Sequence, residues 1–295
     1  MILNVSGRTD IIAFYEKWFM NRLNAGFVDV RNPFNPKLVS RINFSDVDLI
    51  LFCTKNPIPI LNDLDKIKIP FIFHVTITPY KNDIEPNVIL KTEIINAVKK
   101  ISTIIGKDNI YIRYDPIFLS DKYNIVYHIK AFNKLCTLLK GYVNTIIVSF
   151  LDEYKNVLKN KNILKYRQFT ENEYKLIGEN FSNIARTNNM VVQTCFEDRN
   201  LTEYGFKKGE CLSHELAYKL TGKTYKSWKA RKERKCECVE MVDIGCYNSC
   251  KHFCKYCYAN YDEKMVNENF KNHDVNSSLL CGNLKKDDII KVRNK

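Results

Sequence analysis

Short runs of β-branched and aromatic residues recur along this chain, and most of the intervals between them are long enough for a helix. Eight runs are present, at residues 2–5, 27–30, 47–53, 71–77, 110–115, 145–150, 190–196 and 239–244. The interval at 9–26 offers Thr9 or Asp10 as a helix cap, apolar residues at helical spacing, and Gly26 as a stop signal. Repeated strand and helix signals predict βα units and a parallel sheet, with a first βαβ unit spanning the first two runs.

Eight strands alternating with helices predict an α/β protein, either a TIM-like (β/α)8 barrel or a partial barrel, with a cysteine-rich cluster loop near the carboxyl terminus. A doubly wound open sheet is the competing fold. No low-complexity linker divides the 295 residues. We therefore expect one structural unit, in which residues 1–245 form the barrel and residues 246–295 form a cysteine-rich segment packed on its mouth.

The amino terminus has no basic region followed by a long apolar stretch, and no run approaches the ~18 apolar residues of a membrane-spanning helix. A cytoplasmic protein with no membrane partner is the expectation. In a reducing cytoplasm the 11 cysteines are not expected to form disulfides, so metal binding or catalysis explains them better. Eight of the 11 lie in the last third of the chain, which favours metal ligands over core residues.

Three cysteines in a C-x3-C-x2-C pattern, Cys250, Cys254 and Cys257, come shortly after the last strand-like run. Their loop should belong to the mouth of the barrel, beside the residues that follow the first strand. A structural zinc ion normally takes four protein ligands, whereas three thiolates on a four-iron cluster leave one iron open to another ligand. A [4Fe-4S] cluster is the favoured interpretation, and zinc or free thiols are the alternatives.

Further motifs accompany these cysteines. They are SGRTDI at 6–11, RNPFNP at 31–36, TKNP at 54–57, RYDPI at 113–117, DIG at 243–245 and CYANY at 257–261. Together they resemble an uncharacterised bacterial family of unknown function, whose carboxyl-terminal cysteines are similar to the cluster of radical S-adenosylmethionine (radical SAM) enzymes. The resemblance spans essentially the whole chain and implies that Cys250, Cys254 and Cys257 are the ligands of a [4Fe-4S] cluster.

The radical SAM resemblance also implies S-adenosyl-L-methionine as a cofactor, cleaved reductively so that hydrogen is abstracted from an unknown substrate. Tyr256, the aromatic residue before the third cysteine, is then expected to lie against the adenine. The cofactor-binding segment of that superfamily corresponds here to Ser6, Gly7 and Arg8, in an order that looks circularly permuted. A reductant such as flavodoxin or ferredoxin is implied as a partner.

Charged residues at the ends of strand-like runs are candidates for contacts with substrate or cofactor. Alternation places Arg113 and Asp115 on one face of their strand, near the mouth. Such a pair can bind an anionic substrate or can pair internally. Together with Lys55, these residues are the predicted catalytic set. His74, in the middle of a strand, is more typical of a hydrogen-bonded core residue.

A second metal site is predicted from four of the remaining cysteines, Cys195, Cys211, Cys236 and Cys238. It would hold a second iron–sulfur cluster or zinc, and the alternative is ordinary buried cysteines. A strand at 239–244 would separate the two halves of the site by ~20 Å. The site therefore requires a shorter strand, or a connector that crosses the mouth.

A net charge of +13 and the basic run at 226–235, KSWKARKERK, are suited to contact with a phosphate backbone. A solvated connector also explains the run without any partner. The rival function is therefore a nucleic-acid-binding protein stabilised by zinc or an iron–sulfur cluster, without radical chemistry. A radical enzyme that acts on nucleic acid would combine the two.

Overall fold

The computed structural model of the chain describes residues 1–195, 197, 199–228 and 237–293. Its strands are β1 (Ile2–Val5), β2 (Phe27–Arg31), β3 (Leu38–Asn43), β4 (Leu49–Thr54), β5 (Phe71–Thr76), β6 (Ile110–Ile117), β7 (Thr145–Phe150), β8 (Val191–Cys195), β9 (Lys207–Gly209), β10 (Met241–Asp243) and β11 (Ile289–Val292). Its α-helices are α1 (Ile11–Phe14), α2 (Glu16–Ala25), α3 (Lys91–Ile105), α4 (Ile125–Leu139), α5 (Lys155–Lys159), α6 (Lys161–Leu164), α7 (Glu171–Thr187), α8 (His214–Thr221) and α9 (Glu263–Lys271). None of these helices combines the length and the apolar character that crossing a membrane demands.

Eight strands form one parallel sheet in the order β10-β1-β4-β5-β6-β7-β8-β9. Apart from β10, which lies beside β1, the strands of this main sheet follow one another in chain order. The prediction of an α/β fold with eight parallel strands is confirmed. The prediction of a closed barrel is not confirmed. No strand pairing in the described residues joins β9 to β10, so the sheet is open between these two edge strands.

The second predicted strand belongs to a different sheet. β2 pairs antiparallel with β3, and β11 pairs parallel with β3, so the three form a small separate sheet. The expected βαβ unit from β1 to β2 is therefore wrong. The eighth strand of the main sheet is instead β9, which pairs with β8. Its sequence is KKG, and both lysines are exposed. A short polar edge strand has no apolar pattern by which the sequence could reveal it.

Alternate residues of the main sheet fill two separate cores. On β4, Ile50 and Phe52 belong to the larger core, which also contains residues of α3, α4 and α7. Leu49 and Leu51 belong to a smaller core on the opposite face, where they pack with Ala217 of α8. Both faces of the sheet are thus covered by apolar contacts, as a parallel sheet requires.

The face that carries the smaller core is concave, because residues of distant strands meet across it. Nη1 of Arg113 on β6 donates a hydrogen bond of 3.1 Å to Sγ of Cys211, which follows β9. With about 4.8 Å between neighbouring strands, a flat sheet would hold β6 and β9 roughly 14 Å apart. The backbone N of Val239, before β10, donates to the carbonyl of Leu212 at 3.2 Å. The segment that follows β9 at one edge of the sheet therefore contacts the segment that precedes β10 at the other edge.

Residues beyond β10 return across the first part of the chain. Nε1 of Trp18 donates to the carbonyl of Ser277 at 2.8 Å. The backbone N of Asp29 donates to the carbonyl of Ser278 at 3.0 Å, and β11 then lies beside β3. The carboxyl-terminal segment is thus attached to α2 and to the small sheet.

Burial of His128 on α4 should make the protein less stable in mild acid. Its Nε2 lies 2.9 Å from the carbonyl of Phe118, and its Nδ1 lies 3.1 Å from the hydroxyl of Tyr114. Burial lowers the pKa of His128 from 6.5 to about 4. The unfolded chain therefore takes up a proton at a higher pH than the folded chain does, so stability is lost as the pH falls through this window.

We expect this one group to reduce the free energy of unfolding by about 2 kcal/mol between pH 7.5 and pH 5. Urea denaturation at a series of pH values measures the change. His128→Gln has no ring to protonate, so its stability should depend less steeply on pH. Equal pH dependence in the wild type and the variant would contradict this explanation.

Candidate functional site

The cysteine loop, residues 246–260, follows β10 and is held by hydrogen bonds around the fully buried Asn248. Oδ1 of Asn248 accepts from the backbone N of Tyr261 at 2.8 Å and of Asp262 at 3.2 Å. Its own backbone N donates to the carbonyl of Ala259 at 3.0 Å. Its φ of 53° lies in the left-handed region, where asparagine is favoured over most residues. The loop is thus closed at its base before α9 begins.

The three predicted cluster ligands lie within this loop. Cys250 is buried, and Cys254 and Cys257 are half-buried. Burial raises the pKa of all three thiols, that of Cys254 to about 12. The negative charges of Asp10, Cys257 and Cys254 raise the pKa of Cys250 further. The sulfur atoms are therefore close enough to interact electrostatically.

The three sulfur atoms of the loop are less closely grouped than those of a preformed single-ion site. Sulfur ligands about 2.3 Å from one zinc ion lie roughly 3.8 Å from one another. Among the described residues, Cys250, Cys254 and Cys257 do not bring all three sulfur atoms within 4.8 Å of one another. In a four-iron cluster each thiolate binds a different iron, which demands wider spacing. The described residues thus hold no preformed single-ion site at these three sulfur atoms, and a four-iron cluster there stays a prediction.

Asp10 ties the cysteine loop to two other elements. Its Oδ1 accepts from the backbone N of Ala13 and caps α1. Its Oδ2 accepts from the backbone N of Lys55 at 2.7 Å and lies 2.9 Å from Nε2 of His252, between the first two cysteines. The ring of His252 is buried and makes an edge contact with Phe14. This carboxylate therefore fixes the loop relative to the carboxyl ends of β1 and β4.

Glu85 is buried beside the cysteine loop and accepts hydrogen bonds from four side chains. These are Nζ of Lys55 at 2.8 Å, Oγ1 of Thr78 at 2.7 Å, Nζ of Lys91 and the hydroxyl of Tyr256. Burial alone would raise the pKa of Glu85, but the ammonium groups of Lys55 and Lys91 hold it well below its ordinary value. The same two ammonium groups act to lower the pKa of Cys254, against the larger effect of burial. Two cations and one carboxylate leave net positive charge beside this thiol.

Two predicted site residues belong to this network. Lys55 pairs with Glu85, and its Nζ lies over the ring of Tyr256, 5.4 Å from the centroid. The ring of Tyr256 also contacts Tyr80, with centroids 5.7 Å apart. Contacts of Lys55 with substrate and of Tyr256 with adenine stay predictions. Sequence reasoning missed Glu85 and His252, because only the tertiary structure brings them to the cysteines.

The predicted cofactor segment contacts the strand that leads into the cysteine loop. Asp243 of β10 accepts from the backbone N of Gly7 at 3.2 Å and from Nε of Arg8 at 3.0 Å. Oγ of Ser6 accepts from the backbone N of Ile11 at 2.8 Å. A Cβ atom on Gly7 would lie 2.6 Å from Oδ2 of Asp243, so this close approach requires glycine. The segment thus holds β10 in place, and its contact with S-adenosylmethionine stays a prediction.

Arg113 and Asp115, the predicted anion-binding pair, bind each other. Nε of Arg113 donates to Oδ2 of Asp115 at 2.8 Å, and the hydroxyl of Ser149 donates to Oδ1. The two charged side chains are 18% and 19% exposed. The hydrogen bond from Arg113 to Cys211 links this pair to the second group of cysteines. The internal pairing is present, and a role toward substrate stays a prediction.

Three of the four cysteines of the predicted second site come together. Cys195 ends β8, Cys211 follows β9 and Cys238 precedes β10, and their sulfur atoms all lie within 4.8 Å of one another. β10 begins at Met241, later than the sequence predicted, so no long strand separates the halves of the site. Cys236 lies outside the described residues.

Hydrogen bonds polarise this second group. The sulfur atoms of Cys195 and Cys211 are 2.7 Å apart, and the backbone N of Cys211 donates to Sγ of Cys238 at 3.2 Å. Hydrogen bonds from Cys195 and Cys238, with the charge of Arg113, lower the pKa of Cys211. On the same concave face, burial lowers the pKa of His74 to about 3, and neither ring nitrogen has a hydrogen-bond partner among the described residues. Three thiols so close together can hold a thiophilic metal ion.

Most of the basic run at 226–235 lies outside the described residues, which stop at Trp228 and resume at Glu237. The backbone N of Trp228 donates to the carbonyl of Cys238 at 3.0 Å, and Ser227 forms an antiparallel bridge with Val239. The described part of the run is thus attached to the polypeptide that leads into β10. Contact with nucleic acid stays a prediction.

A parallel α/β sheet with one group of cysteines across its open edges and another in the loop after β10 defines a candidate metalloprotein. The chain belongs to a family described as a domain of unknown function (DUF1848), whose model matches residues 2–259. No curated protein and no solved structure matches the chain. Membership of an uncharacterised family is confirmed, and the radical SAM resemblance stays a hypothesis.

Proposed function

We propose that the protein is an iron–sulfur enzyme that cleaves S-adenosylmethionine reductively and abstracts hydrogen from its substrate, as radical SAM enzymes do. The observation that carries this proposal is the cysteine loop. Cys250, Cys254 and Cys257 present three buried or half-buried thiols within eight consecutive residues of one loop, beside the residues that follow β1 and β4. Three thiolates suit a four-iron cluster that keeps one iron free for another ligand.

The residues around the loop support the same function. A bound cluster supplies the electron for cleavage of the cofactor. Asp10 and His252 hold the loop beside the ends of β1 and β4, where the cofactor is proposed to bind. Lys55 and Lys91 act to lower the pKa of Cys254 and so offset part of the effect of burial, which opposes the thiolate form that a metal requires. A flavodoxin or ferredoxin is the proposed electron donor.

We further propose that the curved, open sheet acts as a partial barrel with the substrate on its concave face. Arg113 and Asp115 are the proposed polar contacts, and the hydroxyl of Ser149 orients the carboxylate. Both side chains are mostly covered, so a substrate here would react away from bulk water. Exclusion of water protects a reactive radical from side reactions.

Anaerobic reconstitution of the full chain with iron and sulfide tests the proposal. We expect about four iron and four sulfide ions per chain at this loop. After reduction with S-adenosylmethionine present, 5′-deoxyadenosine should accumulate. Zinc bound at the loop with no iron uptake would reject the proposal. A cluster that never produces 5′-deoxyadenosine would reject the radical chemistry.

The alternative is a nucleic-acid-binding protein whose cysteines have a purely structural role. The net charge of +13 favours it. Binding to nucleic acid that weakens steeply with added salt, with no 5′-deoxyadenosine formed, would support this alternative over the enzyme.

A further inference from the structure

The second cysteine group, Cys195, Cys211 and Cys238, lies where the main sheet is open. Cys195 ends β8, next to the edge strand β9, and Cys211 follows β9. Cys238 precedes β10, which is the opposite edge strand. The backbone bond from Val239 to Leu212 joins the same two segments. The three sulfur atoms therefore lie together across the gap in the strand ladder.

The spacing of this group differs from that of the cysteine loop. Its three sulfur atoms all lie within 4.8 Å of one another, whereas those of the loop do not. Tetrahedral coordination of one ion at about 2.3 Å needs sulfur atoms roughly 3.8 Å apart. Small adjustments of Cys195 and Cys211, now 2.7 Å apart, reach that distance. The second group therefore suits a single ion.

Two N–H groups donate to the sulfur atoms of the second group. Nη1 of Arg113 donates to Cys211 at 3.1 Å, and the backbone N of Cys211 donates to Cys238 at 3.2 Å. Donors of this kind orient metal-bound thiolates and stabilise their negative charge. Three thiolates around a divalent ion carry a net charge of about −1, and the hydrogen bond from Arg113, whose guanidinium also pairs with Asp115, stabilises that charge.

We propose that Cys195, Cys211 and Cys238 bind one zinc ion through three thiolates, with its fourth coordination position open to water or another ligand, and that this ion joins the β8–β9 edge of the main sheet to the β10 edge. Thiolate ligands select zinc over hard cations. Binding releases the remaining thiol protons to solvent, forms three sulfur–zinc bonds and transfers no electrons. The site shares no ligand with the cysteine loop, so it does not rest on the proposed radical chemistry.

Metal analysis of the full chain, purified without oxygen, tests this site. The wild type should contain about one zinc ion per chain, and Cys211→Ser and Cys238→Ser should each lower the zinc content about tenfold or more. The matched control is Cys136→Ala, which removes a buried cysteine of α4 outside both groups and should leave the zinc content unchanged. A chain with Cys250, Cys254 and Cys257 all replaced by alanine should lose iron and keep zinc.

A second measurement uses the wild type alone, so it does not depend on how the variants fold. Protein loaded with Co²⁺ in place of zinc should show thiolate-to-cobalt charge-transfer absorption. Chelation of zinc should lower the melting temperature, and added zinc should restore it, because the folded chain binds the ion more tightly than the unfolded chain does. The proposal is overturned if Cys211→Ser contains as much zinc as the wild type, or if that variant loses iron and keeps its zinc. It is also overturned if the wild type takes up no metal and forms a Cys195–Cys211 disulfide.

Discussion

Replacing Cys254 with alanine should remove the iron–sulfur cluster and, with it, the cleavage of S-adenosylmethionine. Cys254 is one of only three thiols that the loop motif offers, so its loss leaves two irons of a four-iron cluster without protein ligands. Lys55 and Lys91 both act to lower the pKa of this thiol, against the effects of burial and of Glu85. Iron and sulfide per chain, followed by 5′-deoxyadenosine after reduction, measure the two losses.

The control for Cys254→Ala is again Cys136→Ala, whose thiol lies in the larger core and should affect neither quantity. Zinc bound at Cys195, Cys211 and Cys238 should also be unaffected, since none of these residues belongs to the loop. Full iron content in Cys254→Ala would contradict the assignment of the ligand. Full iron content together with normal cleavage would place the cluster that cleaves S-adenosylmethionine at other cysteines.

The main sheet could be predicted largely from the sequence, because most of its strands bury apolar residues on both faces. Such runs stand out in β4, where Ile50 and Leu51 point into different cores. β9 could not be predicted, since its lysines are exposed and its role depends on pairing with β8. The sequence of β2 also predicted a strand, but a run of apolar residues does not indicate which sheet the strand joins.

The cysteine loop could be predicted because its three motif cysteines lie within eight consecutive residues. The surroundings of the loop could not be, because Glu85 reaches Tyr256 across 171 residues and Asp10 reaches His252 across 242 residues. The second group was found by counting cysteines. Its feasibility depended on where β10 begins, and boundaries of strands are poorly fixed by local pattern. Functional residues that are close together in the sequence could therefore be predicted, whereas residues that only the fold brings together could not.

Glu85→Gln should destabilise the folded chain strongly. The variant keeps the size of the side chain but leaves two ammonium groups, of Lys55 and Lys91, without the carboxylate that both contact. Their side chains are 14% and 29% exposed, so water replaces the lost partner only in part. Loss of one member of a buried ion pair costs about 3–5 kcal/mol, and partial exposure places this site near the lower end, at about 3 kcal/mol.

The pH dependence of Glu85→Gln should change in a defined direction. The pKa of Glu85 is held below its ordinary value by the two lysines, so its contribution to stability is present above the pKa of an unfolded glutamate. That contribution is lost as the pH falls toward the lower pKa of the folded chain. The difference in free energy of unfolding between wild type and variant should therefore be largest near neutral pH and shrink in acid.

The matched control is Glu179→Gln, since Glu179 is 46% exposed and lies 3.9 Å from Lys175 on the surface of α7. An exposed pair of this kind contributes about 0.5 kcal/mol or less. Urea denaturation of the three proteins, with metal content held equal, separates the two cases. If Glu85→Gln were no less stable than Glu179→Gln, Lys55 and Lys91 would have to find other partners or lose their protons without cost. Glu85 would then not be what holds the positive charge beside the cysteine loop.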